Sequence, residues 1–196
     1  REALVGQHQD NIIVLYGQRR TGKTSVLYQM HRHIDPIYIP ILVDFQALTL
    51  ESPSDFFYEL AAMIQRTLRR DLNIAVARPP REEFTDSALD YFQSEFLPRV
   101  WETVGDRRLL LMCDESTRLL EQVDAGKLDR ILFDQIRSLM QHSDRLNFIF
   151  SIGARLIQTT RDFDILFNVA LYKEITFLDR ESISELITWP VQNLFD

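Results

Sequence analysis

Gly17-Gln18-Arg19-Arg20-Thr21-Gly22-Lys23-Thr24 stands between an apolar run, Asn11-Ile12-Ile13-Val14-Leu15-Tyr16, and a segment that carries Val26, Leu27 and Met30 at helical spacing without Pro or Gly. A short continuous apolar run that ends in Gly has the pattern of a strand buried on both faces, so the order reads strand, glycine-bearing loop, helix. The loop matches G-x-x-x-x-G-K-[ST] at every fixed position, in the context the pattern requires. Its glycines let the backbone wrap with N–H groups pointing inward, and the following helix presents its positive dipole end to the same concavity. Such a cradle takes a phosphate chain. The Lys23 ammonium can lie between the β and γ phosphates, and the Thr24 hydroxyl can complete a magnesium shell. The nucleotide-binding set is therefore Gly17, Gln18, Arg19, Arg20, Thr21, Gly22, Lys23, Thr24 and Ser25, with Arg19, Arg20 and Thr21 assigned through their backbones.

Outward from this loop, Pro36 closes the helix and residues 37–45 form a second apolar run, in which Pro40 predicts an edge position or a bulge. Ser52-Pro53-Ser54 opens a long amphipathic helix with Phe57, Leu60, Ala61, Ile64 and Leu68 on one face. After Pro79-Pro80, Phe84, Ala88, Phe92 and Phe96 recur every four residues, which predicts a further helical stretch before Pro98. Gly105-Asp106 makes a turn into a third strand, Leu109-Leu110-Leu111-Met112-Cys113, closed by Asp114-Glu115. Leu128, Ile131, Leu132, Ile136, Leu139 and Met140 mark the next helix, and Leu146-Asn147-Phe148-Ile149-Phe150-Ser151 the fourth strand. A weaker strand is expected over residues 170–177 and a final helix near 181–188. Strands alternating with helices imply right-handed crossovers and a parallel sheet covered on both faces. The fold class is α/β, a P-loop NTPase three-layer sandwich.

Asp114 ends its strand about ninety residues after the loop, at the same sheet edge. A carboxylate there completes a magnesium site, and Glu115 beside it polarises a water for attack on the γ phosphate. Ser151 ends the fourth strand at this edge, where a hydroxyl can hold that water or sense the γ phosphate. Arg155 reads as a surface arginine. Other patterns carry no chemistry: His31 and His33 face different ways on their helix, no Cys/His spacing suits zinc, and Cys113 reads as core.

The chain has 196 residues, 45% of them apolar and 26% charged, which fits one globular domain. A net charge of -7 argues against a nonspecific nucleic-acid coat. Arg66, Arg69, Arg70, Arg78 and Arg81 are diluted by Asp71, Glu82 and Glu83 and read as a solvated face. A single cysteine excludes an internal disulfide, and no apolar run is long enough to span a bilayer, so a cytoplasmic location is expected.

The string Gly17 to Thr24 continued by Ser25-Val26-Leu27, the run ending Met112-Cys113-Asp114-Glu115, and Phe148-Ile149-Phe150-Ser151 together resemble the AAA+-related STAND ATPases over nearly the whole chain. Arg1-Glu2 resembles the end of the box that precedes the domain in that group. The resemblance implies a five-stranded core of order 5-1-4-3-2, ATP and Mg2+ as ligands, and a nucleotide-controlled switch. It also implies that residues 1–196 are a single ATPase core, without most or all of the helical lid and winged-helix module into which relatives continue after a position like Trp189-Pro190. Cys113 in place of an aliphatic residue, Ser116-Thr117 after the acidic pair, and Ile152 depart from the group's pattern and bear on hydrolysis and sensing more than on binding.

The expected partners are ATP and ADP, a second copy of the chain or flanking signalling domains, with no membrane and no nucleic acid through this domain alone. AAA+-like sites commonly complete catalysis with a neighbouring subunit's arginine, so weak turnover or none is expected of this chain by itself. Two rivals stay open: a nucleic-acid-linked ATPase of the origin-binding or transposition-helper type, and a scaffold that holds nucleotide without turnover. Adjacent acids speak against a small-molecule kinase, and no Asn-Lys-x-Asp sequence supports a GTPase.

Overall fold

The structure, a computed structural model, describes residues 12–154, 167, 170–177 and 182. The elements run β1 (Ile12–Gly17), α1 (Lys23–His33), β2 (Tyr38–Asp44), α2 (Pro53–Leu72), a 3-10 turn (Arg81–Phe84), α3 (Ala88–Tyr91), a π turn (Phe92–Phe96), α4 (Leu97–Val104), β3 (Arg108–Asp114), α5 (Thr117–Asp124), α6 (Ile131–His142), β4 (Leu146–Gly153) and β5 (Leu171–Glu174). All paired strands are parallel, in the order β2-β3-β4-β1-β5, which is the expected 5-1-4-3-2 read from the other edge. Pro40 lies on β2, an edge strand, where a missing N–H costs least.

The strand order decides which helices cover which face. The chain moves from β1 to β2 in one direction across the sheet, and from β2 through β3 and β4 to β5 in the other. Right-handed crossovers therefore place α1 on one face and α2 through α6 on the opposite one. Packing agrees. Leu27 of α1, with Val26 and Met30, meets Ile13, Leu15, Leu110, Met112 and Ile149. The residues in between, among them Val14, Ile41, Leu111 and Phe148, pack into the larger cluster with α2 through α6. Period-two alternation along each strand thus sorts its side chains between two cores.

The long α2 is well terminated. Ser52 Oγ accepts the Asp55 N–H at 3.2 Å, Asp55 Oδ2 accepts the Glu51 N–H at 3.1 Å, and Pro53 occupies the first turn. At the other end Asn73, with φ 54, closes the helix through its N–H to Leu68 O.

Two expectations about helices are corrected. Pro98 does not end a helix: the turn Phe92–Phe96 widens to π geometry just before it, and the chain continues through α4 to Val104. Proline removes one N–H from the ladder, and a wider turn upstream absorbs the loss while Phe84, Ala88, Phe92 and Phe96 all stay buried. The helix expected from Leu128 begins at Ile131, and Ile131 is 51% exposed rather than facing the core. A separate helix, α5, occupies residues just after the acidic pair and buries Leu119, Leu120 and Val123. Of the expected helix near 181–188 only residue 182 is among the described residues, and Arg1, Glu2, Arg155, Trp189 and Pro190 lie outside them. No helix among the described residues is long and apolar enough to cross a membrane.

Candidate functional site

In a parallel sheet every strand delivers its C-terminal end to the same edge, and here those ends are Gly17, Asp44, Asp114, Gly153 and Glu174. The crevice that ligands use opens where neighbouring strands send their connections to opposite faces. β1 and β4 are such neighbours: β1 leads to α1 on one face, whereas the chain leaving β4 travels the other way to β5. Register sets what stands at this crevice. Leu15 pairs with Ser151 and Gly17 with Gly153, while Cys113 pairs with Phe150, so Asp114 and Ser151 come next to each other at the strand ends. Asp114 has the parity of Met112, and Ser151 that of Ile149, both of which pack against α1. The carboxylate and the hydroxyl are therefore on the α1 face of the sheet, the face on which the Gly17–Thr24 loop turns into its helix.

The loop is shaped by two glycines for different reasons. Gly22 caps α1 with φ 94, a left-handed conformation that an L side chain rarely adopts, and its carbonyl accepts the Val26 N–H at 2.9 Å. Gly17 is needed for space. A Cβ there would be driven into the backbone carbonyl of Ile175 and would lie 2.9 Å from Thr21 Oγ1. Ile175 is fixed in place by its own N–H, which donates to Tyr16 O at 2.7 Å. Arg20 also takes a left-handed backbone, with φ 66.

Lys23 bridges the loop. Its Nζ donates to Gln18 O at 2.8 Å and to Gly17 O at 3.1 Å, and Thr21 Oγ1 donates to the same Gln18 carbonyl at 3.0 Å. Partial burial lowers the Lys23 pKa, while the negative charges of Glu115 and then Asp114 pull it up, and Arg19 pushes it down. The lysine is thus within electrostatic reach of both acids on β3's end, which the sequence alone separates widely. Thr24 and Ser25, at the start of α1, are exposed.

On the opposite bank Asp114 is only 6% exposed and its Oδ1 accepts the Glu115 N–H at 3.0 Å. Glu115 is exposed and has φ 51, a left-handed conformation that costs a non-glycine residue on the order of 1 kcal/mol. Ser116 and Thr117, noted in the sequence only as departures, turn out to hold this edge together. Ser116 donates its hydroxyl to Cys113 O at 2.9 Å and its N–H to Ser151 O at 3.0 Å. Thr117 Oγ1 accepts the Gly153 N–H at 2.9 Å. The start of α5 thereby stitches the end of β3 to the end of β4. A pair of hydroxyl residues at the start of a helix was the available signal. Ser151 is 2% exposed, so the structure places it at the crevice but beneath its surface. Cys113 is a free buried thiol whose pKa is pushed up by burial first and by Asp114 second.

A family model described as AAA domain matches residues 6–159. The chain belongs to the AAA domain family. The matched span holds β1 through β4 with the loop, the acidic pair and Ser151. No curated protein matches the sequence. Among solved structures, the AAA domain is similar to the Walker-type ATPase PABY2304 of Pyrococcus abyssi, with a TM-score of 0.66 and 16% identity over 98% of this chain and 55% of that one. It is also similar to the Aeropyrum pernix ORC1 protein, solved in complex with DNA, with a TM-score of 0.55 and 17% identity over 97% of this chain and 46% of that one. These likenesses are of fold, and the chain spans about half the length of the two proteins. The AAA domain is thus an AAA-type P-loop ATPase fold with its loop, acids and strand-end serine at one sheet edge.

Proposed function

We propose that this AAA domain binds Mg·ATP in the loop Gly17 to Thr24 and hydrolyses it to ADP and phosphate, serving as the nucleotide-controlled switch of a STAND-type regulatory ATPase. The observation that supports the reading is Lys23. Its ammonium is hydrogen-bonded across the loop on one side and feels Glu115 and Asp114 on the other, which supports reading the phosphate cradle and the acids as one site. Lys23 reaches the β and γ phosphates, while the backbone N–H groups around Gly22 and the N-terminus of α1 meet the remaining phosphate charge.

The Thr24 hydroxyl and the Asp114 carboxylate are hard oxygen donors, the kind Mg2+ takes. Among the described residues no group of three or more His, Cys, Asp or Glu could hold a metal ion. Thr24 and Asp114 would supply the protein's oxygens to an ion that arrives with the nucleotide. When bound, Mg2+ neutralises charge on the phosphate oxygens. Glu115 orients and deprotonates the attacking water, and Ser151 reports on the γ phosphate at the end of β4. Cytoplasmic location and self-association or contact with flanking domains complete this reading. A nucleic-acid-linked ATPase is the second reading, favoured by the fold similarity to a protein solved with DNA. The charge of -7 directs any such contact to segments other than this one.

Equilibrium binding and phosphate release test the proposal on the unmodified chain, Lys23→Ala and Glu115→Gln. Preference for ATP over GTP, loss of binding in Lys23→Ala, and retained binding with reduced turnover in Glu115→Gln are expected. Equal affinity for the two nucleotides, or turnover in Glu115→Gln equal to that of the unmodified chain, contradicts it.

A further inference from the structure

The loop contains two arginines whose side chains have no part in the account above. Both are exposed, and among the described residues neither makes a hydrogen bond or an ion pair. They are not equivalent. Lys23 Nζ is 2.8 Å from Gln18 O, the oxygen of the peptide unit that joins Gln18 to Arg19. A trans peptide unit spans only about 3.8 Å between α-carbons, so the Arg19 side chain is rooted next to the lysine's ammonium. Arg20 is one residue farther along the chain from that carbonyl, at a left-handed turn with φ 66.

Two cations held side by side on one loop repel each other until an anion is placed between them. Lys23 is the group that reaches the β and γ phosphates, so the cation beside it meets the end of the phosphate chain. A guanidinium presents a planar fork of N–H donors that matches two phosphoryl oxygens. A triphosphate offers that fork one more phosphoryl group than a diphosphate does. Resting on the nucleotide reading of the site, we propose that Arg19 is a second cation, supplied by the chain itself, for the terminal phosphate of bound nucleotide, and that it sets the preference for triphosphate over diphosphate.

Calorimetric titration with Mg·ATP and with Mg·ADP separates this role from general electrostatics. The variants are Arg19→Ala, Arg19→Lys and, as a charge control, Arg32→Ala, which removes an exposed cation from the last turn of α1. Arg32 is nine positions along the helix from Lys23, a rise of about 13 Å. Arg19→Ala is expected to weaken Mg·ATP about tenfold and Mg·ADP less than about threefold. Arg19→Lys keeps a point charge without the fork and falls between, and Arg32→Ala changes neither affinity. Equal weakening of both nucleotides by Arg19→Ala, or no weakening of either, overturns the proposal and leaves the site itself standing. Absence of nucleotide binding by the unmodified chain overturns the site and this role with it.

Discussion

Gly17→Ala is the substitution whose effect the structure specifies most fully, and it needs no ligand to observe. The added methyl group would enter the backbone carbonyl of Ile175, lie 3.2 Å from that carbonyl's carbon and 2.9 Å from Thr21 Oγ1. A backbone atom cannot rotate aside as a long side chain can. Restoring ordinary contact requires the segment after β5 to retreat by on the order of 1 Å, and the Ile175 N–H to Tyr16 O bond of 2.7 Å resists that movement. Overpacking of this kind costs about 1–3 kcal/mol, and loss of the hydrogen bond adds about 1 kcal/mol. For a domain of this size each kcal/mol is about 2–4 °C, so Tm falls by about 5–15 °C. Gly22→Ala is the matched comparison. No atom lies within 4 Å of its added methyl, and its cost comes from φ 94 alone, about 1–2 kcal/mol. Thermal melts of the two variants should show the larger loss at Gly17. A Gly17→Ala chain that melts with the unmodified protein, or above Gly22→Ala, refutes the claim that the exit of β5 is pressed against the loop.

Three further outcomes follow from single contacts. Thr117→Val removes the acceptor of the Gly153 N–H and should lower stability in urea denaturation by about 1 kcal/mol; an unchanged midpoint would show that β3 and β4 are not stitched there. Cys113 is 4% exposed and its pKa is raised by burial, so a thiol reagent should label it slowly in the native chain and completely in denaturant. Rapid stoichiometric labelling of the native chain contradicts its placement in β3. Lys23 has a folded-state pKa below its unfolded value, so between the two the unfolded chain binds more protons and stability from this group rises with pH. The stability of the unmodified chain should therefore improve relative to Lys23→Met as pH climbs toward the ordinary lysine value, and a shift in the opposite direction would contradict the sign of the burial effect.

The phosphate loop was legible because its chemistry fixes residue types at fixed spacing within a few positions. Asp114 and Ser151 were legible as polar residues that end apolar runs, since a parallel sheet gathers such ends at one edge. Periodicity did not supply the strand order, which rested on the resemblance of the motifs to an ATPase group. α5 was hidden because its three buried residues, Leu119, Leu120 and Val123, make too brief a periodic stretch to separate from the next helix. Pro98 misled because the usual consequence of a missing N–H is a helix end, and the π turn that absorbs it has no local sequence mark. The steric role of Gly17 and the stitching role of Ser116 and Thr117 depend on partners distant in sequence, Ile175 on β5's exit and Ser151 and Gly153 on β4. No window along the chain contains both halves of those contacts.

The central claim, that Gly17 to Thr24 and the acids beside it hold Mg·ATP, is tested most directly by the melting temperature of the chain with Mg·ATP and Mg·GTP, measured also for Lys23→Ala. A ligand that binds only the folded state at about a hundred times its Kd adds about 2.7 kcal/mol of stability, a rise of about 5–10 °C. The account predicts that rise with Mg·ATP, a smaller one with Mg·GTP and none for Lys23→Ala. No rise with Mg·ATP, or an equal rise in Lys23→Ala, contradicts it.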